Sequence, residues 1–533
     1  MKRILILFII YTTCGIINIS FAYANSTYDL MVNSNIYINK EWLDLLHFEN
    51  GKSTINNNST FFISNNGYKD AKEEYIATIN SFFDETRKDD TSTKCMYPAR
   101  TYYILEQLSI SLSELPTHVC NGFEEYLEKV PINSVKIIFA AEDNRYPASI
   151  LGHSFIKLQG HDKNEQLREH AFSFFAVFQH EDNILLNYAK AAVGGTNGIF
   201  SLSPYSDKIS EYLYEEKRSL WEFELKLSEQ EIKKLQRHLW ELKDHKINYS
   251  FTSHNCNDAL ISILNVTNNS FNVDRSKFFI TPLEYLDALL IAGNINSITI
   301  LPSDTDKIII DKYGISNILN TPKSTRISLS FEQRLYSYLN FDFQLIYKDF
   351  YDYSNASFHE SESKILSANI KYNFDQQRLF IDKIDLLKAK LILDYQLTGQ
   401  FSRYYKLSFE KSFPENDFFT GPVFEIGGGL SAYTKYAAVY GLGILGYSYH
   451  RENRVYAAPE IGVIFRGINH AKLISSITYR YDLINNVHKW YTLKFNTYID
   501  LSFNKDRRIF FGFERYFGQN DKNRLILGCV INF

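Results

Sequence analysis

Cys256 is the first candidate for a catalytic side chain, because it follows a polar turn and opens an apolar segment with helical spacing, residues 255–264. A thiol in the first turn of a helix lies at the positive end of the helix dipole, which favours the thiolate. The position therefore predicts a nucleophilic thiol with a lowered pKa. The alternative is a buried structural cysteine at a helix start.

A cysteine nucleophile needs a base to take its proton, and one histidine stands out for that role. His153 opens a predicted strand directly after Gly152, where an imidazole could face a pocket. His254 is a competitor, but close neighbours on a helical turn point in different directions, so it is poorly placed to reach the thiol. His238 and His245 fall on a charged amphipathic helix, which predicts that both are solvated.

The remaining cysteines suggest one disulfide. Cys95 and Cys120 flank a predicted helical hairpin in one small region, and an exported protein meets an oxidising compartment, so we expect them to be paired. Cys529 lies on the apolar face of a predicted strand, where it is expected to be a small buried hydrophobic residue. Cys14 falls in the amino-terminal segment that we predict to be removed on export.

Composition excludes some functions. The chain of 533 residues has 57 Lys+Arg against 61 Asp+Glu and a net charge of −4, which argues against nucleic acid as a partner. Aromatic residues make up 16%, with 38 Tyr and 41 Phe but 4 Trp. No His-x-x-x-His, Cys-x-x-Cys or glycine-rich phosphate loop occurs, so the sequence predicts neither a metal site nor a cofactor.

The amino end is typical of an export signal. Lys2 and Arg3 precede an apolar run over residues 4–19, and Ala22-Tyr23-Ala24 fits a cleavage site. We therefore predict a signal peptide over residues 1–24. The alternative is an uncleaved membrane anchor, although the apolar run is short for one.

The carboxyl-terminal part predicts a transmembrane β-barrel. Apolar and polar residues alternate over long segments separated by turn residues, for example over residues 325–335, 366–374, 473–481 and 491–503. We expect about 12 antiparallel strands around a narrow lumen filled by side chains, which makes the barrel an anchor. The alternative is a soluble sheet. The chain ends on Phe533, which resembles the signal read by the barrel-assembly machinery of the bacterial outer membrane.

The chain thus divides into an α+β soluble part and a barrel. Four segments with helical spacing, residues 41–48, 72–84, 99–108 and 121–130, place a helical subdomain at residues 25–130. Strand-like and then helical segments follow in residues 131–300, and residues 301–324 form a linker. The barrel is predicted over residues 325–533, in the outer membrane, with the preceding domain in the periplasm.

Several stretches of the soluble part resemble the Lnb-type N-terminal periplasmic domain family. The matching stretches are Trp42-Leu43-Asp44-Leu45-Leu46-His47, Cys95-Met96-Tyr97-Pro98-Ala99-Arg100, Pro147-Ala148-Ser149, Gly152-His153-Ser154-Phe155, Gly194-Gly195-Thr196-Asn197-Gly198, Pro204-Tyr205, Arg218-Ser219-Leu220-Trp221-Glu222, His238-Leu239-Trp240-Glu241-Leu242 and Asn255-Cys256. Together they cover about residues 40–300.

The resemblance implies a fold and a catalytic pair. The family is similar to circularly permuted papain-like enzymes of the NlpC/P60 type, in which the base histidine precedes the nucleophilic cysteine. It thus implies His153 and Cys256 as a dyad. Backbone N–H groups at the helix start, with the Asn255 side chain, would hold the oxyanion. For a third residue that orients the imidazole, Ser173 and His170 are the nearest candidates, and neither is favoured.

The resemblance also implies a class of reaction. Family members with transmembrane helices are associated with lipoprotein N-acylation, in which a thiol takes an acyl chain from a phospholipid and passes it to an amine. This chain carries a predicted barrel instead, so the expectation is an outer-membrane-anchored acyl-transfer enzyme that works through a thioester. Its expected partners are outer-membrane lipid and an envelope lipoprotein, phospholipid or peptide substrate. Two alternatives stay open: a cysteine hydrolase of envelope peptide, amide or ester bonds, and an inactive binding scaffold.

Overall fold

The computed structural model describes residues 27–55, 60–142, 149, 151–177, 196–243, 245–250, 254–273, 280–313, 318–350, 360–411, 420–449, 453–468, 471–484, 491–518 and 522–533. The predicted signal peptide and Cys14 lie outside these residues. The chain forms two compact units. The amino-terminal unit comprises Met1–Phe139, His153–Glu211 and Trp221–Ile300, and the barrel unit comprises Ala140–Gly152, Tyr212–Leu220 and Leu301–Phe533.

The first part of the amino-terminal unit is helical, as predicted. Its helices are α1 (Lys40–Leu45), α2 (Ala71–Phe82), α3 (Thr93–Met96), α4 (Pro98–Leu108) and α5 (Asn121–Lys129), and its two short strands are β1 (Phe48–Glu49) and β2 (Lys52–Ser53). Local chemistry sets the helix starts. The Asp70 side chain accepts hydrogen bonds from the first-turn N–H groups of α2, and Pro98 occupies the first position of α4, where its missing N–H costs nothing.

A mixed region with a seven-stranded sheet follows. The strands are β3 (Ser134–Ala140), β4 (His153–His161), β5 (Leu167–Val177), β6 (Thr196–Pro204), β7 (Leu220–Leu225), β8 (Lys246–Tyr249) and β9 (Ile295–Leu301), in the sheet order β8-β6-β5-β4-β3-β7-β9. The helices are α6 (Tyr205–Ile209), α7 (Glu229–Leu242), α8 (Cys256–Asn265) and α9 (Pro282–Ile291). In the β4–β5 hairpin Ile156 faces Phe172, and both are buried in the core against which α8 packs.

The barrel unit contains a closed antiparallel sheet. After α10 (Asp304–Tyr313), the strands are β10 (Arg326–Gln333), β11 (Ser337–Lys348), β12 (Glu360–Asn373), β13 (Arg378–Ile392), β14 (Ser402–Lys411), β15 (Thr420–Tyr433), β16 (Ala437–Tyr449), β17 (Asn453–Ala457), β18 (Glu460–Ile468), β19 (Ala471–Ile484), β20 (Tyr491–Asn504), β21 (Arg507–Gly518) and β22 (Lys522–Asn532), with the short helix α11 (Tyr395–Thr398) between β13 and β14.

The strand pairing closes the barrel with twelve strands. β10 pairs with β22, and β15 pairs with β16, so the described sheet has no open edge. β17 and β18 both lie between β16 and β19 and act as one strand, interrupted where Pro459 lacks the N–H that a continuous ladder needs. The prediction of about 12 strands is confirmed.

The two faces of the barrel differ in the way that the alternation predicts. Along β10, Leu329 and Phe331 are 44% and 45% exposed on the outside, whereas Glu332 is fully buried inside. An apolar exterior around a charged interior is the pattern of a barrel in a membrane. Cys529 shares the outer face and is exposed, so the prediction that it is buried is wrong. Among the described residues no helix is long and apolar enough to cross a membrane.

Glycines in the barrel strands make room for tyrosine rings. A Cβ at Gly446 would meet the Tyr456 ring at 2.2 Å, and one at Gly462 would meet the Tyr440 ring at 2.4 Å. No other residue fits beneath these rings without displacing them, which explains the glycine-rich character of this part of the sequence.

Candidate thiol site

The start of α8 is built by a reciprocal cap. The Asn255 side-chain oxygen accepts hydrogen bonds from the N–H groups of Asn257 (2.8 Å) and Asp258 (3.2 Å). The Asp258 carboxylate accepts one from the Asn255 N–H at 3.1 Å. This capping box fixes Cys256 as the first residue of the helix, as predicted. The Asn255 side-chain oxygen is thus occupied as a helix cap. Its amide nitrogen is the group that could donate to an oxyanion, and this role stays a prediction.

The Cys256 thiol is free and lies against the start of β4. Burial raises the pKa of this thiol, while the N–H and hydroxyl of Ser154 act to lower it. The prediction of a lowered pKa is therefore wrong, because loss of water around the sulfur outweighs the donors near it. Apart from its contact with the sulfur, the buried Ser154 hydroxyl has no hydrogen-bond partner among the described residues. A thiol in this setting needs a base to become a nucleophile.

His153 directly precedes Ser154 on β4. Gly152, before it, has a φ of 76°, a left-handed conformation that glycine adopts without strain. The His153 ring stacks on Phe155 with ring centroids 6.1 Å apart, and residues i and i+2 of a strand share one face. Ser154 has a described interaction with the sulfur. The pairing of His153 with Cys256 stays a prediction.

Tyr249 and Asp258 complete the surroundings of the thiol, and the sequence did not single out either one. Burial raises the pKa of Tyr249, and the nearby charges of Cys256 and Asp258 raise it further. Tyr249 ends β8, opposite Thr196 of β6. It comes from an element far along the chain from His153, so no local spacing could have marked it as part of the site.

The two candidates for a third residue lie further along β5. His170 faces Leu158 in the β4–β5 hairpin, near the opposite end of β4 from His153. Burial lowers the pKa of His170, with a smaller effect from Arg168. The Ser173 hydroxyl is buried and has no hydrogen-bond partner among the described residues. The third residue stays open.

An ion network stiffens β4 on the face that carries Phe155. Glu222 accepts hydrogen bonds from Lys136 (2.8 Å), Lys157 (3.0 Å) and Tyr205 (2.9 Å). Burial alone would raise the pKa of Glu222, but these donors hold it below its ordinary value. Phe155 and Lys157 alternate with Ser154 along β4, so these charge pairs hold in place the strand whose Ser154 meets the thiol.

Residues of the helical part and of α7 meet in a second cluster, which is sealed from solvent. Arg100 donates to Glu74 (2.8 Å) and pairs with Glu241 (3.1 Å), and all three side chains are fully buried. His47 and His238 lie beside them with ring nitrogens 3.0 Å apart. We call these five residues the Arg100 cluster.

The Arg100 cluster corrects one expectation and explains several motifs. His238 is fully buried, so the prediction that it is solvated is wrong. Burial, followed by His47 and Arg100, lowers the pKa of His238 far below its ordinary value, so it packs as a neutral ring. All of these residues except Glu74 come from three of the matching stretches. Their contacts are structural, since none of them faces the thiol in a described contact.

The predicted disulfide is confirmed. Cys95 and Cys120 are bonded, with Cα atoms 5.1 Å apart, and Cys256 is not part of a disulfide. The Trp240 indole donates to the Cys95 carbonyl at 2.9 Å, which ties the bridge to α7. Among the described residues no group of three or more His, Cys, Asp or Glu side chains is placed to hold a metal ion.

Comparison with known families places the site in a recognised domain. Residues 122–292 match the Lnb N-terminal periplasmic domain. The matched segment contains both His153 and Cys256. Residues 34–107 match a second model, a domain of unknown function (DUF7843), which covers Glu74 and Arg100. No curated protein matches the chain.

The barrel is similar to solved outer-membrane channels at low identity. The KdgM porin is 13% identical, covering 39% of this chain and 99% of its own, with a TM-score of 0.26. The NanC porin is 7% identical, covering 39% and 100%, with a TM-score of 0.28. OmpTdeltaL8 of Vibrio cholerae is 9% identical, covering 39% and 97%, with a TM-score of 0.22. These scores are low, and the barrel is defined here by its own strand pairing.

Proposed function

We propose that the amino-terminal unit is a thiol acyl-transfer enzyme of the periplasm with a permuted papain-like fold, attached to the outer membrane by the barrel. The observation that carries this proposal is the free Cys256 thiol at the first residue of α8, half-buried against the start of β4. A structural cysteine gains nothing from a capped helix start with two polar groups of Ser154 beside the sulfur.

The reaction begins with loss of the thiol proton. His153 takes this proton as general base, and the Ser154 N–H and hydroxyl stabilise the thiolate that forms. The sulfur attacks the acyl carbonyl, and the carbonyl electron pair moves onto oxygen. The main-chain N–H of Cys256 is the donor for that oxyanion, because Asn255 already occupies the N–H groups of the next two residues.

Collapse of the tetrahedral intermediate gives a thioester. The bond to the leaving alcohol or amine breaks, and protonated His153 supplies the proton that the leaving group needs. A second nucleophile then attacks the thioester, again with His153 as base, and frees the thiol. With a phospholipid as acyl donor and the amine of an envelope lipoprotein as acceptor, the net reaction is acyl transfer. With water as acceptor, it is hydrolysis.

The deciding experiment combines variants with a product assay. Mass spectrometry of lipoprotein amino termini should show an added acyl chain that is present with the protein and absent in Cys256→Ala and His153→Ala. The two substitutions combined should cost no more than either alone, because the residues act as one unit. His254→Ala is the matched control and should retain activity, since it removes a neighbouring imidazole that is not the base.

The other outcomes each have a clear meaning. Release of free fatty acid or peptide without acylated amine would replace the transferase with a hydrolase. Failure of Cys256 to react with an iodoacetamide probe in intact cells, together with no product of either kind, would leave a binding scaffold. Near-normal activity of Cys256→Ala would overturn the thiol mechanism.

Phe533 takes part in closing the barrel. Its N–H donates to the Thr325 carbonyl at 2.9 Å, at the seam where β10 and β22 pair. We expect deletion of Phe533 to impair insertion by the barrel-assembly machinery. The measurement is heat-modifiable migration of the full chain in outer-membrane fractions, and unchanged yield would contradict the expectation.

A further inference from the structure

The lumen of the barrel is only partly filled. The aromatic and aliphatic side chains of β13–β19 occupy one side, and a cavity of about 490 Å³ lies along the other. Nine basic and nine acidic residues line this cavity, so its charges balance. They are Arg326, Lys364, Lys371, Lys383, Lys388, Lys390, Lys494, Arg508 and Arg524, with Glu332, Asp342, Asp349, Glu362, Asp382, Asp385, Glu460, Asp500 and Glu514.

Unpartnered amide groups show that this cavity is suited to water. The side-chain oxygens of Asn340, Gln344 and Asn369 line it and have no hydrogen-bond partner among the described residues. A buried carbonyl without a partner costs on the order of 1–3 kcal/mol. Together with the charged groups, these oxygens make the wall of the cavity polar. The cavity is therefore a hydrophilic space, in contrast to the anchor filled by side chains that the sequence predicted.

Residues that follow β11 are held by ion pairs and hydrogen bonds at one end of this space. Asp349 is buried and bound by Arg508 (2.9 Å), Arg326 (3.4 Å) and the Tyr347 hydroxyl (2.5 Å). Arg326 begins β10, so these contacts lie at the barrel end where the chain enters the sheet. Phe350, the next residue, belongs to the apolar cluster on the filled side of the lumen.

A lysine from the facing wall joins these residues. Lys472 lies on β19, six strands from β12 in a ring of twelve, so the two strands are on opposite walls. Its ammonium donates to the Phe350 carbonyl at 2.8 Å and lies 3.4 Å from the Glu360 carboxylate of β12. These contacts join the two walls across the lumen. We call Asp349, Phe350 and Lys472 the lumen plug.

We propose that the barrel is a pore for small hydrophilic ions and solutes, closed in this conformation by the lumen plug. The charged wall and its unpaired amides supply a polar path, and the plug interrupts it at one end. Because the wall carries equal numbers of both signs, the open pore discriminates weakly between cations and anions. This function does not depend on the chemistry proposed for Cys256.

Single-channel recording of the purified full-length protein in planar bilayers with KCl tests the pore and the plug together. The wild-type protein should be closed most of the time. Lys472→Gln and Asp349→Asn should each give a several-fold higher time-averaged conductance, because each releases the plug from one wall. Lys364→Gln is the matched control, since it removes one lumen charge whose ion pair is with Glu362 on its own strand.

Each result supports or overturns one part of the proposal. Heat-modifiable migration on gels first confirms that every variant is a folded barrel. Silence of all four folded proteins would overturn the pore. Equal conductance of wild type and Lys472→Gln, or a rise in Lys364→Gln as large as in the plug variants, would overturn the plug. In a KCl gradient the Lys472→Gln pore should reverse close to zero voltage, and strong selectivity for either ion would contradict the balanced wall.

Discussion

The Arg100 cluster and the barrel lumen are two charged interiors that solve the problem of burial in opposite ways. In the cluster, one guanidinium meets two carboxylates with no exposed surface, and the rings of Phe61 and Tyr97 cover it at 4.1 and 4.5 Å. In the lumen, eighteen charged groups share a cavity of about 490 Å³. The first interior is sealed by packing, and the second has room for solvent.

The difference teaches where a single charge matters. A buried ion has no substitute partner when one member of its pair is lost, so it must then be dehydrated without compensation. An ion beside a water-accessible cavity can be rehydrated or can pair with another neighbour. The same residue types should therefore be indispensable in the amino-terminal unit and individually replaceable in the barrel. Two substitutions in the cluster and one in the lumen test this contrast, and loss of the disulfide gives a further measure of the stability of the amino-terminal unit.

The largest effect is expected from Arg100→Met. It leaves Glu74 and Glu241 as two buried carboxyls without a cation, and breaking a buried pair in this way costs about 3–5 kcal/mol. Denaturant unfolding of the full chain, followed by tryptophan fluorescence, measures the free energy of unfolding. Arg237→Met is the control. Arg237 is partly exposed, and its ion pair with Glu106 is long, with 3.7 Å between the charged groups. Equal losses in the two variants would remove the contrast.

Loss of the disulfide should come next. Replacing Cys95 and Cys120 together by Ser opens a loop of 25 residues, which costs about 3 kcal/mol through the entropy of the unfolded chain. Unfolding of the amino-terminal unit should shift, whereas the heat-modifiable migration of the barrel should not. Peptide mapping of the wild-type protein without reductant provides the check, and a bridge that includes Cys256 would contradict both the pairing and the nucleophile.

Glu241→Gln should change the pH dependence of stability. Burial is the main reason that the pKa of Glu241 is raised to about 7, from an ordinary value of 4.5. A carboxyl with a raised pKa contributes stability that is complete below about pH 4.5 and is lost as the pH rises through about 7, by at most about 1.4 kcal/mol per pH unit.

The comparison with wild type isolates this group. The stability of wild type relative to Glu241→Gln should fall between pH 5 and pH 7 and then level off. His238 has the opposite dependence, because its lowered pKa makes acid destabilising, but it is present in both proteins and its effect largely cancels. A difference that stays constant from pH 5 to pH 8 would show that Glu241 does not titrate in this range.

Local pattern was enough to predict the helices, the disulfide and the barrel, since each is encoded by neighbours in the sequence. Burial was not predictable in this way. His238 lies on an amphipathic helix with many charges, yet it is fully buried. Its ring packs on His47, and Glu241 on the same helix pairs with Arg100. The pKa of Cys256 likewise depends on how closely β4 approaches, which the first turn of α8 does not encode.

Two strands of the seven-stranded sheet, β6 and β8, carry little local signal in the sequence. β6 carries two serines and a glycine, and β8 has only four residues, so neither shows a long alternation. Both are strands because they pair with partners that bring their own apolar side chains. Ser154 and Tyr249 likewise lie beside the thiol because of tertiary packing, since the sheet and α8 bring them there. The sequence could name the nucleophile and propose its base, but not the groups around them.

The smallest effect is expected from Lys364→Gln in the barrel. Lys364 lies 3.4 Å from Glu362, but Glu362 also accepts hydrogen bonds from Lys388 at 2.8 and 2.9 Å. After the substitution Glu362 keeps that stronger partner, and water in the cavity can solvate the glutamine. We expect a loss below about 0.5 kcal/mol, measured by urea unfolding of the barrel in lipid vesicles. A loss as large as that of Arg100→Met would show that the lumen is as dry as the Arg100 cluster, and would contradict both the contrast and the proposed pore.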